Sequence, residues 1–197
     1  MPITVFLADD NIIVREGVRA LCGEFPAAYF REVDTRRGYP ERFVDALTKA
    51  GWLAALIPQE YGGSGLGVSE ASVIMEEINR SGGNAGACHG QMYNMGTLLR
   101  HGSLEQKSRY LPKIASGELR LQSMAVTEPT AGTDTTAIST VAVKKGDRYV
   151  VNGQKVWISR VQHSDLMILL ARAPRPPRRP RRNPRACRSS SWTCGMP

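Results

Sequence analysis

The sequence predicts an α+β chain of more than one domain. An N-terminal all-α bundle (residues 1–120) precedes an incomplete antiparallel β-barrel or sandwich (121–171), and a disordered Arg/Pro-rich tail follows (172–197). Three observations predict it. Apolar residues recur at helical spacing through the first part, the period changes to strict alternation after about Arg120, and the composition changes again at Arg172.

In the helical part, "NIIVREGVRALCGEF" places Ile13, Gly17, Ala20, Leu21 and Glu24 near one stripe, and Pro26 closes it. "YPERFVDALTKAGW" puts Pro40 in the first turn and Glu41 at the positive end. Phe43, Ala46, Leu47 and Ala50 form its apolar face and Gly51 stops it. "SEASVIMEEINRSGG" starts on a Ser69 cap, buries Val73, Ile74 and Ile78, and ends at Gly82-Gly83. "SLEQKSRYLPKIASG" has Ser103 and Gln106 at capping-box spacing. Four or five helices with short links predict a bundle.

In the β part, "TAISTVAVKKGDRYVVNGQKVWIS" alternates apolar and polar residues. Gly146-Asp147 marks one turn and Asn152-Gly153 a second hairpin, which would carry Trp157 and Ser159 on a strand. "DLMILLA" (165–171) is a candidate buried strand.

Charge excludes one function class for the body. The chain has 26 Lys+Arg and 18 Asp+Glu; the eight arginines from Arg172 onward, with no acid among them, leave 18 of each sign before that point. A neutral body has no electrostatic footprint for a polyanion, so binding to nucleic acid or an acidic partner would reside in the basic tail alone. No run is long and apolar enough to span a bilayer, and the N-terminus lacks a secretory pattern, so a cytoplasmic protein with no membrane partner is expected. Cys22 and Cys88 read as buried free thiols; Cys187 and Cys194 lie in the tail, and no metal-ligand spacing occurs.

Several motifs fall short of chemistry. The strand, acidic pair (Asp9, Asp10) and helix at the start suggest a receiver module, but "GWLAALIPQEYGG" offers no phosphoacceptor aspartate. "YGGSGLG" (61–67) fails the dinucleotide spacing at Val68. His89 beside Met92 and Met95 reads as packing. "MAVTEPTAGTDTT" (124–136) is a strand edge entering a loop rich in hydroxyls and backbone amides, able to surround a polar heteroaromatic ring.

That loop and "YVVNGQKVWIS" (149–159), with "GWLAALIPQEYGGSGLG" and "RHGSLEQKSRYLPKIASGEL", resemble the acyl-CoA dehydrogenase family of flavoproteins, in order from about residue 10 to 171. The resemblance implies an N-terminal helical domain, a middle β domain and a C-terminal helical bundle. It also implies FAD as cofactor and α,β-dehydrogenation of acyl-CoA thioesters in fatty acid metabolism. Met124, Val126, Thr127, Gly132, Thr133, Trp157, Ile158 and Ser159 would then form the FAD site, with Trp157 on the flavin, Ser159 reaching toward N5, and Thr133 also contacting acyl-CoA. Glu128 belongs to the loop motif and is not the base. The catalytic carboxylate comes from the family's C-terminal domain, so the expectation is a truncated oxidoreductase with no catalytic residue of its own and no turnover alone. Electron-transfer flavoprotein and a homo-oligomer are the family's partners. Codons chosen for "CRSSSWTCGMP" and read two bases later give the strand-like "VFLVDMRDA", so the tail is expected to be out of frame.

Overall fold

The computed structural model describes residues 11–174. The Asp9-Asp10 pair, Cys187, Cys194 and the tail from residue 175 lie outside the described residues.

Among the described residues six α-helices come first: α1 (Ile12–Gly23), α2 (Ala27–Thr35), α3 (Glu41–Lys49), α4 (Val68–Arg80), α5 (Gly86–His101) and α6 (Leu104–Ser116). Four short strands follow: β1 (Ser123–Ala125), β2 (Val141–Lys145), β3 (Arg148–Asn152) and β4 (Met167–Leu169). α3 forms where its sequence predicts, with Pro40 as its N-cap and with Val44 in its buried face in place of the exposed Ala50. Glu41 and Lys49 complement the two ends of its dipole, Phe43, Val44 and Leu47 are buried, and Gly51 follows at φ +80°. α6 carries the expected reciprocal cap: Gln106 N donates to Ser103 Oγ at 3.1 Å and Ser103 N donates to Gln106 Oε1 at 2.8 Å.

Other elements depart from expectation for local reasons. The buried stripe of α1 is Val14, Val18 and Cys22, one residue along from the predicted one, and Ile13 is exposed. Gly17 faces the Trp52 ring, which would meet a Cβ at 2.7 Å, so the helix approaches that ring closely only with glycine there. Pro26 closes α1 but also precedes α2 as its N-cap. α4 starts on Gly67, whose N–H donates to Glu70 Oε2 at 2.8 Å, so Ser69 lies within the helix and not at its cap. His89 does not pack with the methionines. It is exposed beside Tyr93, ring centroids 4.8 Å apart, while Met92 and Met95 are buried.

Two apolar clusters meet at α5. One joins Val18, Phe43, Leu47, Ile74, Ile78 and Cys88; the other joins Ile57, Met95, Leu111, Ile114 and Leu121. Cys22 and Cys88 are both free and buried, and burial pushes the Cys88 thiol up to about 12. α1 and α4 are tied by a buried Glu77, which accepts from Arg15 and Arg19 at 3.1 to 3.2 Å.

The β region is partly as expected. β2 and β3 form the antiparallel hairpin, with Lys145 opposite Arg148. Of its two loop residues, Gly146 and Asp147, only Gly146 has positive φ (+64°), as in a type II′ turn. β1 and β4, however, pair parallel, Met124 opposite Ile168, so this second two-stranded sheet is not antiparallel. β4 is also more open than a buried strand, with Met167 and Leu169 exposed. The Asn152-Gly153 hairpin does not form: past Gly153 the chain runs beside residue 127, Val156 N donating to Thr127 O at 3.0 Å, instead of returning along β3. Backbone pairing continues through Arg172, which bridges Val141.

The β region sits on the helices through a polar seam. Tyr39 OH donates to Gln122 Oε1 (2.7 Å) and Arg120 N to Asp165 Oδ2 (2.7 Å), while the Arg120 guanidinium reaches Glu41 and Asp45. Gly90 lets α5 approach closely, since a Cβ there would lie 2.9 Å from Gln122 O.

Candidate functional site

β1 leads out of the seam to Val126, Thr127 and Glu128, where the chain turns sharply. Glu128 N donates to Ala131 O at 2.9 Å and Ala131 N returns to Glu128 O at 3.2 Å. Glu128 is 3% exposed, yet its carboxylate is fully engaged. Oε2 accepts from Ser139 N (2.6 Å) and Ser139 Oγ (2.7 Å). Oε1 accepts from Thr140 N (2.9 Å), Lys155 Nζ (2.9 Å) and the Thr140 hydroxyl. The Thr140 hydroxyl, then the Ser139 donors and Lys155, hold this carboxyl well below the usual carboxylate range, against the opposing effect of burial. A carboxylate so satisfied is a poor proton acceptor, and Glu128 is a structural clamp. Lys155 completes the clamp by donating to Val126 O at 2.8 Å.

The clamp brings the two sequence motifs together. Residues 156–159 run antiparallel to residues 123–127, held by Val156 N to Thr127 O (3.0 Å) and by Ser123 Oγ to Ser159 O (3.0 Å). Trp157 is not on a strand: it takes φ +60°, and its side chain is 89% exposed. Arg160 takes φ +61°. Two non-glycine residues in the left-handed region within one short segment store backbone strain, which is characteristic of ligand sites.

Of the sequence-predicted site residues, Met124, Val126, Thr127 and Ile158 are half-buried along this ledge, with Trp157 and Ser159 exposed beside them. Gly132 and Thr133 are exposed in the following loop. That loop is braced internally, by Thr135 N to Thr133 O (3.1 Å) and by Thr136 N to Asp134 Oδ1 (3.0 Å), and among the described residues it has no hydrogen bond to 156–159. The Thr136 hydroxyl and amide lower the Asp134 carboxyl below its ordinary value.

Sequence reasoning missed Lys155, Arg160 and a cavity of about 430 Å³ at the ledge, lined by His89, Tyr93, Gln122, Ser159 and Arg160. A second cavity, about 910 Å³, opens between α4 and α5 beside Met75 and Met92. The alternation of Lys155 with Trp157 could have singled out the lysine; the cavity leaves no local pattern.

Comparison with known proteins gives two family matches. The acyl-CoA dehydrogenase N-terminal domain matches residues 8–118 and the acyl-CoA dehydrogenase middle domain matches residues 123–185. The chain is 35% identical to the mitochondrial isovaleryl-CoA dehydrogenase of Pongo abelii over 170 residues, 84% of this chain and 40% of that protein. It resembles the crystal structure of an acyl-CoA dehydrogenase from Geobacillus kaustophilus with TM-score 0.76 and 30% identity, over 86% of this chain and 44% of that one. An acyl-CoA dehydrogenase from Bacillus anthracis, complexed with FAD, matches with TM-score 0.70 and 26% identity, over 85% of this chain and 30% of that one. The chain thus spans less than half the length of these relatives.

Proposed function

Since the chain belongs to the acyl-CoA dehydrogenase family, we propose that its ledge binds FAD and serves the α,β-dehydrogenation of an acyl-CoA thioester. The observation that carries this reading is the alignment of residues 156–159 against 123–127, which brings the segment carrying the exposed Trp157 and Ser159 alongside the one carrying Met124, Val126 and Thr127. Apolar side chains, an open indole face and hydroxyls on one surface suit a fused ring that is apolar on its faces and polar on its rim. When bound, FAD supplies the acceptor for the hydride leaving the substrate's β-carbon.

The protein's part is to hold the reactants and exclude alternatives. Trp157 offers a stacking face. Thr127 and Ser159 offer hydroxyls for the ring's polar edge, and the exposed Thr133 would contact the CoA portion of the thioester. The clamp of Glu128 and Lys155 fixes the spacing of the two ledge segments, and positioning of this kind carries much of a rate enhancement. Among the described residues no carboxylate at the ledge is left to take the α-proton, because Glu128 is clamped and Asp134 is tied to Thr136. The proton acceptor therefore lies outside this set, and residues 11–174 do not complete the reaction by themselves. Electrons pass onward to an electron-transfer flavoprotein.

Titration of FAD fluorescence with the purified chain tests the reading. Quenching that saturates is expected, with Trp157→Ala weakening binding about tenfold, the size of one aromatic stacking contact. Absence of quenching at any protein concentration would remove the FAD assignment.

A further inference from the structure

Arg120 and Arg160 flank the Tyr39 ring, with guanidinium carbons 5.0 and 5.9 Å from its centroid, but their charges are treated differently. Arg120 is neutralised by Glu41 and Asp45. Arg160 makes one side-chain hydrogen bond, from Nη2 to Asn84 Oδ1 at 3.3 Å, and among the described residues no carboxylate lies within ion-pair distance of it. Nor does its neighbourhood compensate. It lies beside the first turn of α5, which carries no acid and where the backbone dipole adds positive potential. Space for the guanidinium is made by Gly86, where a Cβ would fall 2.4 Å from Nη2.

This half-buried charge lines the 430 Å³ cavity together with His89, Tyr93, Gln122 and Ser159. No aliphatic side chain lines it; every side chain on its wall can hydrogen-bond. A plain alkyl chain inside would desolvate the guanidinium and return nothing, a costly arrangement. A carboxylate would form a charge-assisted pair, for which the planar guanidinium is well matched. The cavity is also lined by Ser159, the residue that the acyl-CoA reading sets toward the hydride-accepting end of the site.

We propose that this cavity receives the far end of an acyl group bearing a carboxylate, and that Arg160 selects for it. The proposal rests on the acyl-CoA reading above and adds the substrate class: ω-carboxyacyl-CoA thioesters over uncharged ones. Arg160 is a specificity residue here and takes no part in proton or hydride transfer.

Calorimetric titration of the full chain, with FAD present, compares ω-carboxyacyl-CoAs of about four to six carbons with uncharged acyl-CoAs of the same lengths. The CoA portion is common, so the difference isolates the acyl end. A preference of about tenfold for the charged series is expected, the worth of one charge-assisted contact. It should shrink with added salt, disappear in Arg160→Gln and survive in part in Arg160→Lys. Binding of both series without preference, or a preference unchanged in Arg160→Gln, overturns the proposal and leaves the acyl-CoA reading standing. Binding of neither series overturns both. Because the wild-type ratio decides the first outcome, the test does not depend on a variant folding.

Discussion

At the scale of single residues, Glu128 has the most definite consequence. It contributes to stability only while ionised, and its folded-state pKa is held below the ordinary carboxylate value. That contribution is fully present above the unfolded pKa and is lost as pH falls through and below the usual carboxylate range. Glu128→Gln should therefore lower Tm at neutral pH, since it leaves Lys155 facing an uncharged amide. The gap to wild type should narrow on acidification, because only wild type has the ionic contribution to lose. Thermal melts from about pH 7 to about pH 3 measure this; a gap that stays constant would show that the clamp is not ionic. The motif reading placed Glu128 in the loop and excluded it as a base. It did not reveal the partners, since Ser139, Thr140 and Lys155 lie 11 to 27 positions away in sequence.

Among the elements, those with strong local signals were legible. α3 has an apolar face at helical spacing, a proline at its start and a glycine at its end; α6 has its reciprocal cap. Leu47→Ala removes a fully buried side chain and should cost about 2–5 kcal/mol. Ser103→Ala removes one half of the cap and should cost about 0.5–2 kcal/mol. Denaturant melts rank the two, and a smaller loss for Leu47→Ala would contradict its place at the centre of the core. α5 was not legible as an amphipathic helix because it is not one. Gln91, Met92, Asn94 and Met95 are all buried while Gly90 meets Gln122, so polar and apolar residues share the covered side, only a strip around His89 and Tyr93 stays open, and no clean apolar stripe results. The Asn152-Gly153 signal misled for a different reason. Its turn preference is local, and pairing of the following segment with Thr127 overrode it.

For the whole molecule, the division into a helical part and a β part was legible from the change of period, and the ledge from two contiguous motifs. The 430 Å³ cavity was not, since its wall is assembled from α5, Gln122 and residues 159–160, three stretches that only the fold brings together. The order of helices and sheets also bears on how the chain unfolds. β1 and β4 contribute three residues each, too few for a sheet to persist in water alone. What holds them is the seam, with Gln122 between Tyr39 and Gln91, Arg120 on Glu41 and Gly90 against the Gln122 carbonyl, together with Leu166 and Ile168 packed against the second apolar cluster. The β part thus has little independent thermodynamic existence, and heat should unfold both parts in one cooperative step. Arg120→Ala, cutting the ion pairs of the seam together with the Arg120 contact on the Tyr39 ring, should split the calorimetric peak or let β1 and β4 amides exchange with solvent before those of α5. A single unaltered transition in that variant would mean that the sheet is stabilised elsewhere. In wild type, the folding free energy of the helices is the reservoir from which the ledge draws its rigidity.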